Sequence, residues 1–326
     1  MADRREFIGS VAGCMLAVPF AAAAQPSAKL PRIGILANYE GSSWDGFRRG
    51  MRELGYVDGR TIAMHWRFAD GKIDRYPALA SELVEAKVDL IVTSGTPAAL
   101  AAKKATASIP IVMTISAFPE KVGLVESLSH PGGNITGFTL FEPTLAGKWL
   151  GLLKEVTPDL TRVALLINPD TAILRGTFYS KAFETAAAGL GIEPVFAKVF
   201  NVQDIDGAIA ALGKQPGSAL IVAPDTFSEV NGDLIVALAN EHRVPAVYAI
   251  SRYAKRGGLI SYGPNQYAAV KRATTYVDRI LKGEKPGDLP VQAPVKFDLV
   301  VNLKTAKALG LTIAESFLLR ADEVVE

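Results

Sequence analysis

The residues of this 326-residue chain with types suited to chemistry gather just after short apolar runs. Asn38, Tyr39, Ser42, Ser43 and Trp44 follow Arg32–Ala37, Ser94-Gly95-Thr96-Pro97 follows Asp89–Thr93, and Thr114 and Ser116 close Ile109–Ile115. A second group repeats the habit: Asn168-Pro169-Asp170, Asp225-Thr226, Tyr248-Ala249-Ile250-Ser251 and Tyr262-Gly263. Hydroxyls, amides and isolated carboxylates of this kind bind polar solutes; they do not assemble a catalytic motif. Gly41-Ser42-Ser43-Trp44-Asp45 has an acid where a nucleophile elbow needs its second glycine. Gly41–Gly46 begins like a phosphate loop, but Phe47-Arg48 replaces Lys-Ser/Thr. No G-x-G-x-x-G follows the first apolar run, which weakens a dinucleotide reading. His65, His130 and His242 stand far apart without a second ligand at metal spacing, and the single Cys14 excludes an intramolecular disulfide. No catalytic residue, metal or cofactor is expected.

Two positions carry a specific chemistry. Thr96 reads as a helix N-cap with Pro97 at the first helical position, and Gly95 admits a ligand to the backbone; the positive helix end suits a carboxylate. Asp225 stands in the corresponding loop of the second half, where it either pairs with a ligand ammonium across a cleft or caps a helix. Tyr39, Tyr248 and Tyr262 occupy loop or strand-end positions suited to walling a pocket. Trp44 shares a helical face with Phe47 and Met51 and reads as core.

The elements that must hold these residues are legible from periodicity. Short Val/Ile/Leu runs alternate with amphipathic stretches, the pattern of an α/β fold with parallel sheets. Strands are expected at Arg32–Ala37, Thr61–Phe68, Asp89–Thr93, Ile109–Ile115 and Asn134–Leu140, with helices after Asn38, over Tyr76–Ala86 and over Pro97–Ala105. The halves echo each other. Pro31–Asn38 (PRIGILAN) matches Thr161–Asn168 (TRVALLIN), and Leu90-Ile91-Val92 matches Leu220-Ile221-Val222, both at an offset of 130 residues. Ile109–Val112 (IPIV) matches Val244–Val247 (VPAV) at 135. Two Rossmann-like lobes with a ligand cleft between them are predicted, since parallel sheets bind ligands beyond their carboxyl ends. The first spans 31–141 and regains about 265–284 through the helix bearing Tyr267, Val270, Val277 and Ile280. The second spans 145–262 plus part of 290–326. With 35 basic and 33 acidic residues and no dense basic block, no nucleic-acid partner is expected.

The first residues differ from the rest. Arg4-Arg5 precedes an apolar stretch from Phe7 to Phe20 that ends in Ala21-Ala22-Ala23-Ala24, a small-residue cleavage site. Residues 1–24 therefore read as an export signal, of twin-arginine or general secretory type, leading to the periplasm.

Further stretches carry a family resemblance: Leu90–Lys103 (LIVTSGTPAALAAK), Ser129–Phe138 (SHPGGNITGF), Ala219–Phe227 (ALIVAPDTF), Gly257–Pro264 (GGLISYGP), Tyr276–Leu289 (YVDRILKGEKPGDL) and Lys296–Glu326 (KFDLVVNLKTAKALGLTIAESFLLRADEVVE). On these the chain resembles type I periplasmic substrate-binding proteins of ABC importers, in the family that includes tryptophan- and tyrosine-type uptake proteins. The resemblance implies a monomer that captures a small solute, often an amino acid, by hinge closure and delivers it to an inner-membrane permease. It also implies that Ser94 and Thr114 or Ser116 hold a carboxylate and that Asp225 holds an amine. Thr114-Ile115-Ser116-Ala117-Phe118-Pro119 departs from the Gly/Ser-rich, Asp-Pro loop usual there, so a ligand other than an aromatic amino acid is compatible. A sensing module presenting solute to a receptor and an exported enzyme with an unrecognised site remain the alternatives.

Overall fold

In the computed structural model, which describes residues 30–326, two α/β lobes face each other across a cleft; the export-signal reading of residues 1–24 lies outside the described residues. The first lobe runs β1 (Arg32–Ala37), α1 (Ser43–Glu53), β2 (Ala63–Phe68), α2 (Tyr76–Glu85), β3 (Leu90–Ser94), α3 (Thr96–Ala105), β4 (Ile111–Ala117) and β5 (Ile135–Phe141). The second follows with α4 (Leu145–Val156), β6 (Arg162–Ile167), α5 (Ser180–Leu190), β7 (Glu193–Lys198), α6 (Val202–Gly213), β8 (Ser218–Val222), α7 (Thr226–Val230), α8 (Gly232–Glu241), β9 (Ala246–Tyr248), α9 (Ser251–Lys255) and β10 (Ile260–Pro264). The chain then continues through α10 (Gln266–Leu281), β11 (Phe297–Asn302), α11 (Leu303–Leu309), α12 (Glu315–Leu318) and β12 (Glu323–Val325).

The first sheet has the order β2-β1-β3-β4-β5 and is parallel throughout. The second, β12-β11-β10-β9-β8-β6-β7, contains the same five-strand order followed by a β11 that runs antiparallel to β10. The sequence echoes fall on equivalent slots: β1 with β6, β3 with β8, β4 with β9. Helices cover both faces of each sheet, so β3 and β8 are buried almost end to end and read as continuous Val/Ile/Leu runs.

α10 packs along α1, and Val270, Ala273 and Val277 join Ile33, Ile35, Phe47 and Met51 in one cluster. The helices approach closely because α1 offers glycines: a Cβ on Gly50 would stand 2.6 Å from Thr274 Oγ1. Burying each of the large aliphatic side chains here contributes about 1.5–3 kcal/mol. The chain crosses between the lobes three times, after β5, after β10 and before β11, and Phe141, Asn265 and Asp298, at or beside these crossings, line the cleft.

Candidate functional site

A cavity of about 360 Å³ lies between the carboxyl ends of the two sheets and is walled by both lobes. Its first-lobe wall is built where the strand ladder turns irregular. The pairing of β3 with β4 shifts at Thr93/Ser94, and that of β4 with β5 shifts after Met113. Such shifts re-aim side chains at strand ends, and Ser94, Thr96 and Ser116 reach the cavity there.

Thr96 is not the cap of α3. Gly95 holds that position, with φ 93° and ψ 146°, a conformation open only to glycine, and Thr96 is the first helical residue. The Thr96 hydroxyl instead accepts from the Ala117 N–H at 3.1 Å and meets Ser116 Oγ at 3.3 Å, which ties α3 to the end of β4. Asn38 accepts from the Gly71 N–H at 2.8 Å through Oδ1, so its amide orientation is set and the buried Nδ2 is a donor. That Nδ2 has no partner among the described residues.

The second-lobe wall is charged. Asp225 caps α7, accepting from Ser228 N at 2.8 Å, and also receives the Thr171 hydroxyl at 3.0 Å, the Ser228 hydroxyl at 3.2 Å and the Asn168 N–H at 3.3 Å. Burial pushes its carboxyl above the usual carboxylate range, while those bonds pull it back. Of the two roles open to it, the helix cap is the one these contacts fill.

Arg252 of α9 organises the remainder. Its Nη2 lies 3.0 Å from Glu229 Oε1 and 2.8 Å from the Tyr253 hydroxyl, and it reaches across the cleft to the Tyr39 hydroxyl. Its guanidinium carbon sits 4.8 Å from the Tyr253 ring centre and 5.5 Å from that of Tyr39. Burial opposes the charge of Arg252, but Tyr253, Glu229 and Tyr39 outweigh it and hold the group protonated. Burial, reinforced by Glu229, lifts the Tyr39 phenol well above its ordinary value. A second contact between the lobes is apolar: the rings of Phe118 and Phe178 meet edge to face at 4.4 Å.

Of the residues singled out from sequence, Asn38, Tyr39, Ser43, Ser94, Gly95, Thr96, Ser116, Asp225 and Thr226 line this cavity. Thr114, Asn168, Asp170, Tyr248 and Tyr262 do not. The Thr114 hydroxyl is fully buried and donates to the Thr93 carbonyl at 3.0 Å. Asn168 sits one layer back, accepting from the Asp170 and Thr171 N–H groups and so shaping the loop that presents Thr171 to Asp225. Tyr248 is 1% exposed against Gly258. Tyr262 stacks on Phe297, and its carbonyl accepts from Trp149 Nε1. Trp44 is both core and cavity wall: it is 2% exposed and packs edge to face on Phe47 and Trp66.

Sequence reasoning missed Tyr76, Glu229, Arg252 and Asp298, all on the lining. Tyr76 opens α2 after the edge strand β2, and the carboxyl-end rule applied to that strand would have found it. Arg252 is the residue after Ser251. Glu229 and Asp298 give no local signal, since each is one polar residue within an ordinary element.

The family described as ABC transporter substrate binding protein matches residues 37–325. The chain is 29% identical over 290 residues, 87% of its length, to the tyrosine-binding protein of Clostridioides difficile (strain R20291), of which it covers 82%. Among solved structures it is similar to an ABC domain from Streptococcus pneumonia in complex with L-Trp, at 26% identity and a TM-score of 0.82 over 91% of this chain and 100% of that one. A ligand-free, open substrate binding protein with adhesive properties from Clostridium difficile gives 27% identity and a TM-score of 0.69 over 91% and 99%. At near-equal identity, the two lobes superpose better on the L-Trp complex than on the open form.

Proposed function

The chain belongs to the ABC transporter substrate-binding protein family, and from that premise we propose that it captures a small solute, an amino acid or related carboxylate, in the periplasm and delivers it to an inner-membrane permease. The observation that carries the reading is the cavity shared by both lobes, which is of the size that holds a small molecule, ~300 Å³ upward. A solute seated there touches both walls only when the cleft is shut, and that differential affinity draws the population toward the closed form. The better superposition on the L-Trp complex supports assigning the present arrangement to that form.

Ser94, Thr96, Ser116 and the start of α3 form the pole for a carboxylate; Tyr39, Trp44, Tyr76 and Phe141 form the apolar walls. In this reading the protein acts as a monomer and binds its solute without covalent chemistry, as membership of a solute-binding family implies. The Arg4-Arg5 run and the apolar stretch after it support export.

Small-angle scattering combined with a thermal-shift panel tests the reading. A bound solute raises the melting temperature by mass action and shrinks the radius of gyration. A panel of amino acids and small carboxylates that moves neither quantity refutes it.

A further inference from the structure

Every charge on the cavity lining already has a protein partner. Asp225 accepts four hydrogen bonds from its own lobe, which fills the lone-pair positions a carboxylate offers. Glu229 is paired with Arg252 at 3.0 Å, and Lys255 with Glu323 at 2.6 Å. Asp298 accepts from Asn265 Nδ2 at 2.6 Å through one oxygen, and its other oxygen, without a hydrogen bond, faces the Lys296 ammonium at 3.5 Å.

The donors are in the opposite state. Asn38 Nδ2 is buried without a partner, and among the described residues neither Nε nor Nη1 of Arg252, nor the hydroxyls of Ser94 and Tyr76, makes a hydrogen bond. The first turn of α3 adds a positive helix end. Among the described residues the cavity thus has donors to spare, while each of its acids is either saturated, as Asp225 is, or already faces a cation, as Glu229 and Asp298 do. An oxygen-rich anion is well received; an ammonium shut in with it meets hydroxyls that do not neutralise it and an Arg252 that repels it.

We propose that the solute is an aromatic carboxylate that bears no ammonium group, such as an aryl 2-oxo, 2-hydroxy or propionic acid. The inference rests on the solute-capture reading above and narrows its ligand. Tyr39, Trp44, Tyr76 and Phe141 receive the ring, and Asn38 Nδ2 and the α3 pole receive the carboxylate.

Titration calorimetry with matched pairs tests it: L-tyrosine against 3-(4-hydroxyphenyl)propionate and 4-hydroxyphenylpyruvate, and L-tryptophan against indole-3-propionate. At least one ammonium-free acid is expected to bind about tenfold or more tighter than its amino acid, because the amino acid buries an unpaired charge. Asn38→Asp keeps the acceptor for Gly71 while turning the orphan donor into a second anion. In that variant, with an unchanged melting temperature, the acid is expected to weaken by about tenfold or more while the amino acid gains relative to it. An amino acid that binds tighter than its matched acids overturns this inference and leaves solute capture standing. Binding by a solute of neither series does the same. No binding by any solute overturns both.

Discussion

The two walls of the cleft are made from the same βα units, yet the first keeps neutral donors open while the charged side chains of the second are paired or saturated from within. On the first-lobe wall the Ser94 hydroxyl and Asn38 Nδ2 are open. On the second-lobe wall Asp225 is saturated and Arg252 and Glu229 are paired. The contrast separates two uses of polarity at one site. Groups left open wait for a ligand, while groups satisfied from within shape the wall, and Arg252 also fastens one lobe to the other through Tyr39.

The sharpest break of this comparison is Asp225→Ala. If its carboxylate serves the fold, the variant strands a helix start, a backbone N–H and two hydroxyls, and urea unfolding shows a loss on the order of 3 kcal/mol. A variant that unfolds like the parent but no longer binds solute reverses the assignment. Ser94→Ala makes the complementary case: solute binding weakens by about 1.5 kcal/mol while stability stays within about 0.5 kcal/mol, since no protein bond is lost.

Tyr39→Phe keeps the ring and removes the hydroxyl that Arg252 reaches. The closed form loses about 1 kcal/mol relative to the open one, and scattering from the ligand-free protein shows a larger radius of gyration. An unchanged profile assigns closure to Phe118 and Phe178 instead.

The smallest effect is alkaline. Burial first, opposed by Arg252 and aided by Glu229, pushes the Tyr253 phenol up to about 12. Its unfolded value is about 10, so the folded state holds this proton more tightly. The associated stability is complete below about pH 10 and is lost as pH rises through about 12. Urea midpoints are expected to fall across that window, and Tyr253→Phe to flatten part of the fall.

Much of the fold was legible because buried parallel strands draw on a narrow alphabet and return with a fixed spacing. The RIGILA and RVALLI runs named the equivalent strands β1 and β6, and Gly55, with φ 88°, marked the end of α1. The site was legible only to the depth of the loops. Strand-end rules found Ser94, Thr96 and Asp225, but they treated Thr114 and Tyr248 as equals of Ser116 and Tyr39. A strand end shows which residues are near a cleft; the bulges after Thr93 and Met113 determine which of them turn toward it.

By itself, then, the sequence determined the α/β class, the duplicated strand order and the carboxyl-end loops, because hydrophobic period and turn residues act locally. Tertiary structure alone decided that Gly95 rather than Thr96 caps α3, that Asp225 spends its lone pairs on Thr171, Ser228 and Asn168, and that Arg252 meets Tyr39 across 213 residues of chain. Hydrogen-bond saturation depends on which distant atoms arrive within about 3 Å, and no pattern along the chain encodes that arrival.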